Sequence, residues 1–252
     1  MGLADRDYYR ETSFRPSLGR RLSGWPLTYW IILLNVVVFF VGTSLVVTAT
    51  MENGQQVRYQ PIFAWGWFSL NTAIHHVQLW RFLSFQFLHG GLDHLFFNML
   101  GLFFFGRLVE QYLGTRRYLA FYLLSGIGGP IAYVALYYLG ILNYSPGTPL
   151  IGASAGLFGV LVAAAMIAPR ARVQLLFPPI EMTLRQMAWL YLGIAAAIVL
   201  WMGRTGTANA GGEAAHLGGA AVGLLLMRNP AWLRFADTIR LPIPRRGPRI
   251  AR

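Results

Sequence analysis

Leu150-Ile-Gly-Ala-Ser-Ala-Gly-Leu-Phe-Gly159 sets one serine, Ser154, among small residues at the start of an apolar run. The run continues to Ala168 and meets Pro169. In a soluble α/β fold, Gly152-Ala-Ser154-Ala-Gly156 would mark a serine on a strand-to-helix elbow. The segment before it, residues 140–149, is instead a Pro/Gly loop without charge, and the chain shows no alternation of strands and helices. The soluble reading therefore fails on context. The stretch reads as a membrane helix lined with small residues.

Composition supports this. The 252 residues are 56% hydrophobic and only 12% charged, against about 25% charged in soluble domains. The apolar residues also come in long blocks, the mark of a polytopic helical membrane protein. The net charge of +12 would suit nucleic acid, but the 21 basic residues are all Arg and lie between and outside the apolar blocks. That distribution orients membrane spans and argues against a nucleic-acid partner. Cys is absent, which excludes disulfides, zinc–thiolate sites and thiol catalysis. The apolar run after residue 26 is too long for a cleaved signal and reads as a retained span.

Working outward from Ser154, the pattern divides the chain into a basic arm (1–26), a six-span domain (27–228) and a basic tail (229–252). The spans are expected near 27–49, 82–105, 117–139, 150–168, 186–203 and 214–227. Span one is near the ~20 residues that cross ~30 Å of hydrocarbon. Residues 50–81 form a long connection rich in Trp65, Trp67, Phe68 and Trp80, suited to the headgroup zone. The arm and tail suit an anionic lipid surface. Five arginines precede residue 27, three lie in 106–117, three in 169–185 and seven from Arg228 onward. Only Arg58, Arg81 and Arg204 fall on the opposite side. The positive-inside rule then puts both termini in the cytoplasm, as in a bacterial inner membrane.

Polar groups inside spans are costly and mark function. Ser154 falls near the outer end of span four and His216 near the outer end of span six. His94 lies near the outer mouth of span two. All three share a shallow depth, on the order of 8 Å for His216. A serine needs a base; the chain has no Lys, and His216 is the ionisable base of span six, titrating ordinarily near 6.5. The small residues Gly152, Ala155, Gly156, Gly159, Gly219 and Gly223 allow two helices to approach closely in lipid. The first N–H groups of span four lack intrahelical partners and can face a developing oxyanion. His94 and Asn98 are four apart, on one helix face, and both can donate. The plain alternative is that the glycines serve packing and that His94 and Asn98 are interhelical glue. His89 and His94 are five apart, about 140° around a helix, a poor pair for one metal ion. No H-E-x-x-H occurs, and His75 and His76 read as surface.

Taken together, Trp80-Arg81, His89-x4-His94-x3-Asn98, Gly152-x-Ser154, and Ala215-His216 followed by Gly219-x3-Gly223 resemble the rhomboid intramembrane serine proteases in order and in span. The resemblance implies an all-α, six-transmembrane-helix bundle of the basic bacterial form. It implies a serine endopeptidase that cleaves transmembrane helices of other proteins near the outer face, with membrane lipids around it and no cofactor. Ser154 would be the nucleophile and His216 the general base, a dyad without an acid, so that packing alone holds His216. His94, Asn98 and the Ser154 N–H would form the oxyanion hole. His89, Trp80-Arg81 and Glu110 match positions that look structural. One departure is Phe158, where many bacterial members carry Tyr; the ring can still stack on the histidine. Two rivals are a non-catalytic relative that binds client helices and a small transporter, which would carry charges deeper in its spans and repeated halves.

Overall fold

The computed structural model describes residues 24–51, 55–174, 179–207 and 209–239. Most of the expected basic arm and tail therefore lies outside the described residues, as do residues 52–54, 175–178 and 208. Helix α1 (Leu27–Ser44) is followed by a hairpin of β1 (Val47–Thr50) and β2 (Gln56–Tyr59), paired antiparallel with Val47 opposite Tyr59. Two short helices, α2 (Pro61–Gly66) and α3 (Arg81–Ser84), flank a π-helical turn at Leu70–His75. Then come α4 (Leu92–Leu113), α5 (Thr115–Tyr138) and α6 (Ser154–Ile167). A second hairpin, β3 (Arg172–Gln174) with β4 (Glu181–Thr183), leads to α7 (Leu184–Met202) and α8 (Ala210–Arg228). A 3-10 segment, Pro230–Thr238, closes the described chain.

Five of the six major helices are long and apolar enough to cross a membrane, and α6 is the short one. Its 14 residues reach only ~21 Å at 1.5 Å per residue, less than the ~30 Å of hydrocarbon. The expected span from residue 150 is corrected accordingly. Residues 150–153 are not helical, because Leu150 exchanges both backbone hydrogen bonds with Phe68, and the Gly152 N–H donates to the Phe85 carbonyl at 3.0 Å.

Further boundaries move. Span one ends at Ser44, because the β-branched run Val46-Val47-Thr48 goes into the hairpin. Span two begins at Leu92, since Gly90-Gly91 breaks the chain after the 3-10 turn Phe85–Phe87. It continues to Leu113, leaving only Gly114, at φ 80°, as the turn into α5. Span six begins at Ala210, four residues earlier than expected. Span five starts at Leu184, set by a capping box in which Thr183 and Gln186 satisfy each other's backbone N–H groups.

Residues Pro26–Ile239 form one unit with α8 at its centre, packed chiefly along α5 and α6. The contact with α6 requires glycine at two α8 positions. A Cβ on Gly219 would run into the Ala155 backbone, and one on Gly223 would lie 2.6 Å from Gly159 Cα. Such close approach replaces the hydrophobic driving force that helices lack in lipid. The opposite design faces outward. Phe96, Phe97, Phe103 and Phe104 on α4, and Trp189, Leu200 and Trp201 on α7, are exposed, as a hydrocarbon solvent permits.

At the other end of α4, Glu110 is buried and ties the bundle together. Its carboxylate accepts from the Leu27 N–H (2.8 Å), the Thr28 N–H (3.0 Å), Thr28 Oγ1 (2.8 Å) and Thr115 Oγ1 (3.1 Å). It thereby satisfies the open N-terminus of α1. In the first connection the Arg81 guanidinium, 4% exposed, donates to the carbonyls of Trp67 (2.7 Å) and Ala64 (3.0 Å) and to Gln78 Oε1 (2.6 Å). Trp80 stacks on Trp65 and donates to its carbonyl at 3.1 Å. Trp80-Arg81 and Glu110 thus hold backbone, as their resemblance implied.

Candidate active site

Ser154 is the first residue of α6, and no side chain caps that helix. The residue two before it, Gly152, has φ 130°, a conformation that L side chains rarely adopt. Space imposes glycine as well: a Cβ there would sit 2.7 Å from His94 Nε2 and 3.5 Å from Ser154 Oγ. The missing side chain brings the His94 imidazole beside the serine. The uncapped start of α6 leaves the Ser154 N–H without an intrahelical partner.

From α8, His216 reaches the same point. Its Nε2 lies 2.8 Å from Ser154 Oγ. Phe158, one turn along α6, stacks on the imidazole with centroids 4.2 Å apart and planes within 8°. Behind it, Tyr191 of α7 meets Phe158 edge-on at 6.4 Å. The expectation that packing alone holds His216 is corrected. His216 Nδ1 lies 2.8 Å from Glu213 Oε2, one turn earlier on α8. A single neutral tautomer satisfies both contacts: Nδ1–H donates to the carboxylate, and Nε2 accepts from the serine hydroxyl. Ser154, His216 and Glu213 thus form one hydrogen-bonded chain between two helices.

On α4, Asn98 is 5% exposed and its Nδ2 has no hydrogen-bond partner. That is a buried donor left open. It lies one turn from His94, on the same helix. His89 is not on that helix, contrary to expectation. It sits in the break before Leu92, fully buried, with its ring edge-on to His94 at a centroid distance of 5.0 Å. The helical-angle argument against a shared metal therefore does not apply to this pair. Among the described residues no group of three or more His, Cys, Asp or Glu is arranged to hold a metal ion.

With this arrangement in view, comparison with known proteins decides the lineage. The rhomboid-domain profile matches residues 76–229, which contain every residue of the cluster. The chain belongs to the rhomboid family. It is similar to the rhomboid protease GluP of Bacillus subtilis (strain 168), 34% identical over 141 residues, or 56% of this chain and 24% of that protein. It is similar to the rhomboid protease AarA of Providencia stuartii, 28% identical over 211 residues, 79% of this chain and 70% of that one. A third relative is named inactive RHOMBOID-like protein 8 of Arabidopsis thaliana, 35% identical over 99 residues. The alignment with GluP thus spans about a quarter of that protein's length. Family and apolar helices together make this rhomboid an integral membrane protein.

Two features of this rhomboid site escaped the sequence reading. A span that starts at Ala214 leaves Glu213 outside the helix, whereas the spacing Glu213-Ala-Ala-His216 puts both on one helix face, since residues three apart are neighbours there. Gly152 was read as a small packing residue, while its backbone conformation and the room it leaves for His94 carry its role.

Proposed function

We propose that this rhomboid is an intramembrane serine endopeptidase that hydrolyses peptide bonds in or near transmembrane helices of other membrane proteins. The observation that carries the reading is the 2.8 Å contact from Ser154 Oγ to His216 Nε2, made by two helices that touch through glycine. His216 takes the hydroxyl proton at Nε2 as Ser154 Oγ attacks the scissile carbonyl. The tetrahedral oxyanion is held by the Ser154 N–H with His94 and Asn98, whose open Nδ2 supports that role. His216 then gives its proton to the leaving amine as the C–N bond breaks. Water attacks the acyl-enzyme, losing a proton to His216; the bond from the carbonyl carbon to Ser154 Oγ then breaks as His216 returns that proton to Oγ.

The arginine distribution supports both termini in the cytoplasm of a bacterial inner membrane. The site then faces outward. The arm 1–26 and tail 229–252 flank the protease domain 27–228 and bind anionic lipid through their arginines. The clustered Ser154, His216 and His94 at one end of the bundle, and no repeat of the two halves, favour the protease over a transporter.

The test is fluorophosphonate labelling of the full chain in detergent, wild type beside Ser154→Ala and His216→Ala. Labelling of the wild type that is lost in both variants is the expected result. A folded wild type that takes neither the fluorophosphonate nor a smaller phosphonate would overturn the reading in favour of a client-helix binder.

A further inference from the structure

The resemblance implies a serine and a histidine and nothing more, yet the His216 imidazole has a second partner. Glu213 Oε2 stands 2.8 Å from Nδ1, with the two side chains 18% and 15% exposed. Among the described residues, no other hydrogen bond or ion pair engages the Glu213 carboxylate. An acid in the first turn of a helix has a plain reason to be there, since it complements the positive end of the helix dipole. That reason requires no contact with a ring. Here the ring is fixed from three directions, by Ser154 and Glu213 in its plane and by Phe158 on its face.

We infer that Glu213 is the positioning residue for His216, making the site a serine–histidine–glutamate relay. This rests on the protease reading above. The carboxylate accepts the Nδ1 proton, so the lone pair is left on Nε2, where the serine hydroxyl donates. When Nε2 takes the serine proton, the ring becomes an imidazolium carrying protons on both nitrogens. The adjacent carboxylate stabilises that cation and keeps its own charge; no proton passes to Glu213. A buried carboxylate in this role is worth about 10⁴ in rate. Glu213 keeps some solvent contact, which screens its charge, so its effect is on the order of 10- to 100-fold.

The groups facing the imidazole from neighbouring helices are few. They are Ser154 and Phe158 from α6, the His94 imidazole from α4, which lies with Ser154 Oγ around Gly152, and Tyr191 of α7 behind Phe158. Helix α5 meets this turn of α8 through Gly129. Arg116, Arg117 and Arg185 lie at the opposite ends of their helices. Asp93, next to His94 in the first turn of α4, is exposed. Glu213 is the anionic group hydrogen-bonded to the ring.

The experiment is the rate of fluorophosphonate labelling of the full chain as a function of pH, for wild type, Glu213→Gln and Ser154→Ala, with thermal unfolding of each. Glutamine keeps the shape and removes the charge. The expected result is labelling of Glu213→Gln slower by roughly 10- to 100-fold at neutral pH, with unchanged unfolding temperature. Its acid limb should move to lower pH, because a carboxylate beside an imidazolium favours the protonated ring. Wild-type rate with an unmoved limb overturns the inference. So does slower labelling with an unmoved limb, which would make Glu213 a helix-start acid only. Neither result touches the protease reading, which fails separately if Ser154→Ala labels like the wild type.

Discussion

Two of the carboxylates on the long helices of this rhomboid, Glu110 and Glu213, are opposites. Glu110, near the C-terminal end of α4, receives four hydrogen bonds, two of them from the backbone that opens α1. Glu213, near the N-terminal end of α8, receives one, from a ring that itself can gain or lose a proton. The first is saturated by donors that never change. The second has capacity to spare and a partner whose charge varies during a reaction. Saturation builds a joint, while an unsaturated group beside a titratable one builds a site. Asn98 extends the contrast to donors, since its Nδ2 is buried with nothing to donate to.

The contrast makes its strongest demand at Glu110. Glu110→Ala takes the acceptor from two backbone N–H groups and two threonine hydroxyls, at a cost of about 3 kcal/mol. Thermal unfolding should show a clearly lowered midpoint, while fluorophosphonate labelling per folded molecule stays as in the wild type. A labelling defect in the folded fraction would break the division between joint and site. Asn98→Ala should do the reverse. Turnover of a transmembrane peptide falls by about 10²-fold or less, with binding and unfolding unchanged; undiminished turnover would remove Asn98 from the oxyanion pocket.

The smallest effect belongs to a third carboxylate. Asp237, in the 3-10 segment after α8, accepts a two-pronged contact from Arg117 at 2.9 and 2.6 Å. The hydrogen bonds from Arg117 hold its pKa below the usual aspartate value. A depressed carboxylate stabilises the fold above its unfolded pKa, about 3.9, and loses that contribution as pH falls through the folded value. Amide hydrogen exchange in residues 230–238 should therefore stay constant from neutral pH down to about 4, after correction for intrinsic rates. Protection should weaken only below that. Loosening near pH 6 would mean that another group holds the segment.

What could be read without coordinates was whatever depends on composition and period. Long apolar blocks announced helices, and small residues four apart announced the α6–α8 contact that Gly219 and Gly223 make. The absence of Lys left His216 as the base for Ser154. What could not be read depends on where helices begin. A start at Ala210 rather than 214 turns Glu213 from a loop residue into a neighbour of His216. The Gly90-Gly91 break takes His89 off α4 and swings its ring to within 5.0 Å of His94. The start of α8 lies against tertiary contacts, Tyr133 packed on Gly211 and the Gly211 N–H donating to Tyr144 Oη at 3.4 Å, which a one-dimensional pattern does not carry.

The parallel seat of His216 on Phe158 also gives the site a voice of its own. With 4.2 Å between centroids and 8° between planes, the ring's carbon-bound protons lie in the shielding region above a benzene face. Their magnetic resonances are displaced upfield from those of a free imidazole. The chain holds five histidines, so one displaced pair of lines separates the base from the rest. Tilting of the ring, or arrival of a proton, then becomes audible in the unmodified protein.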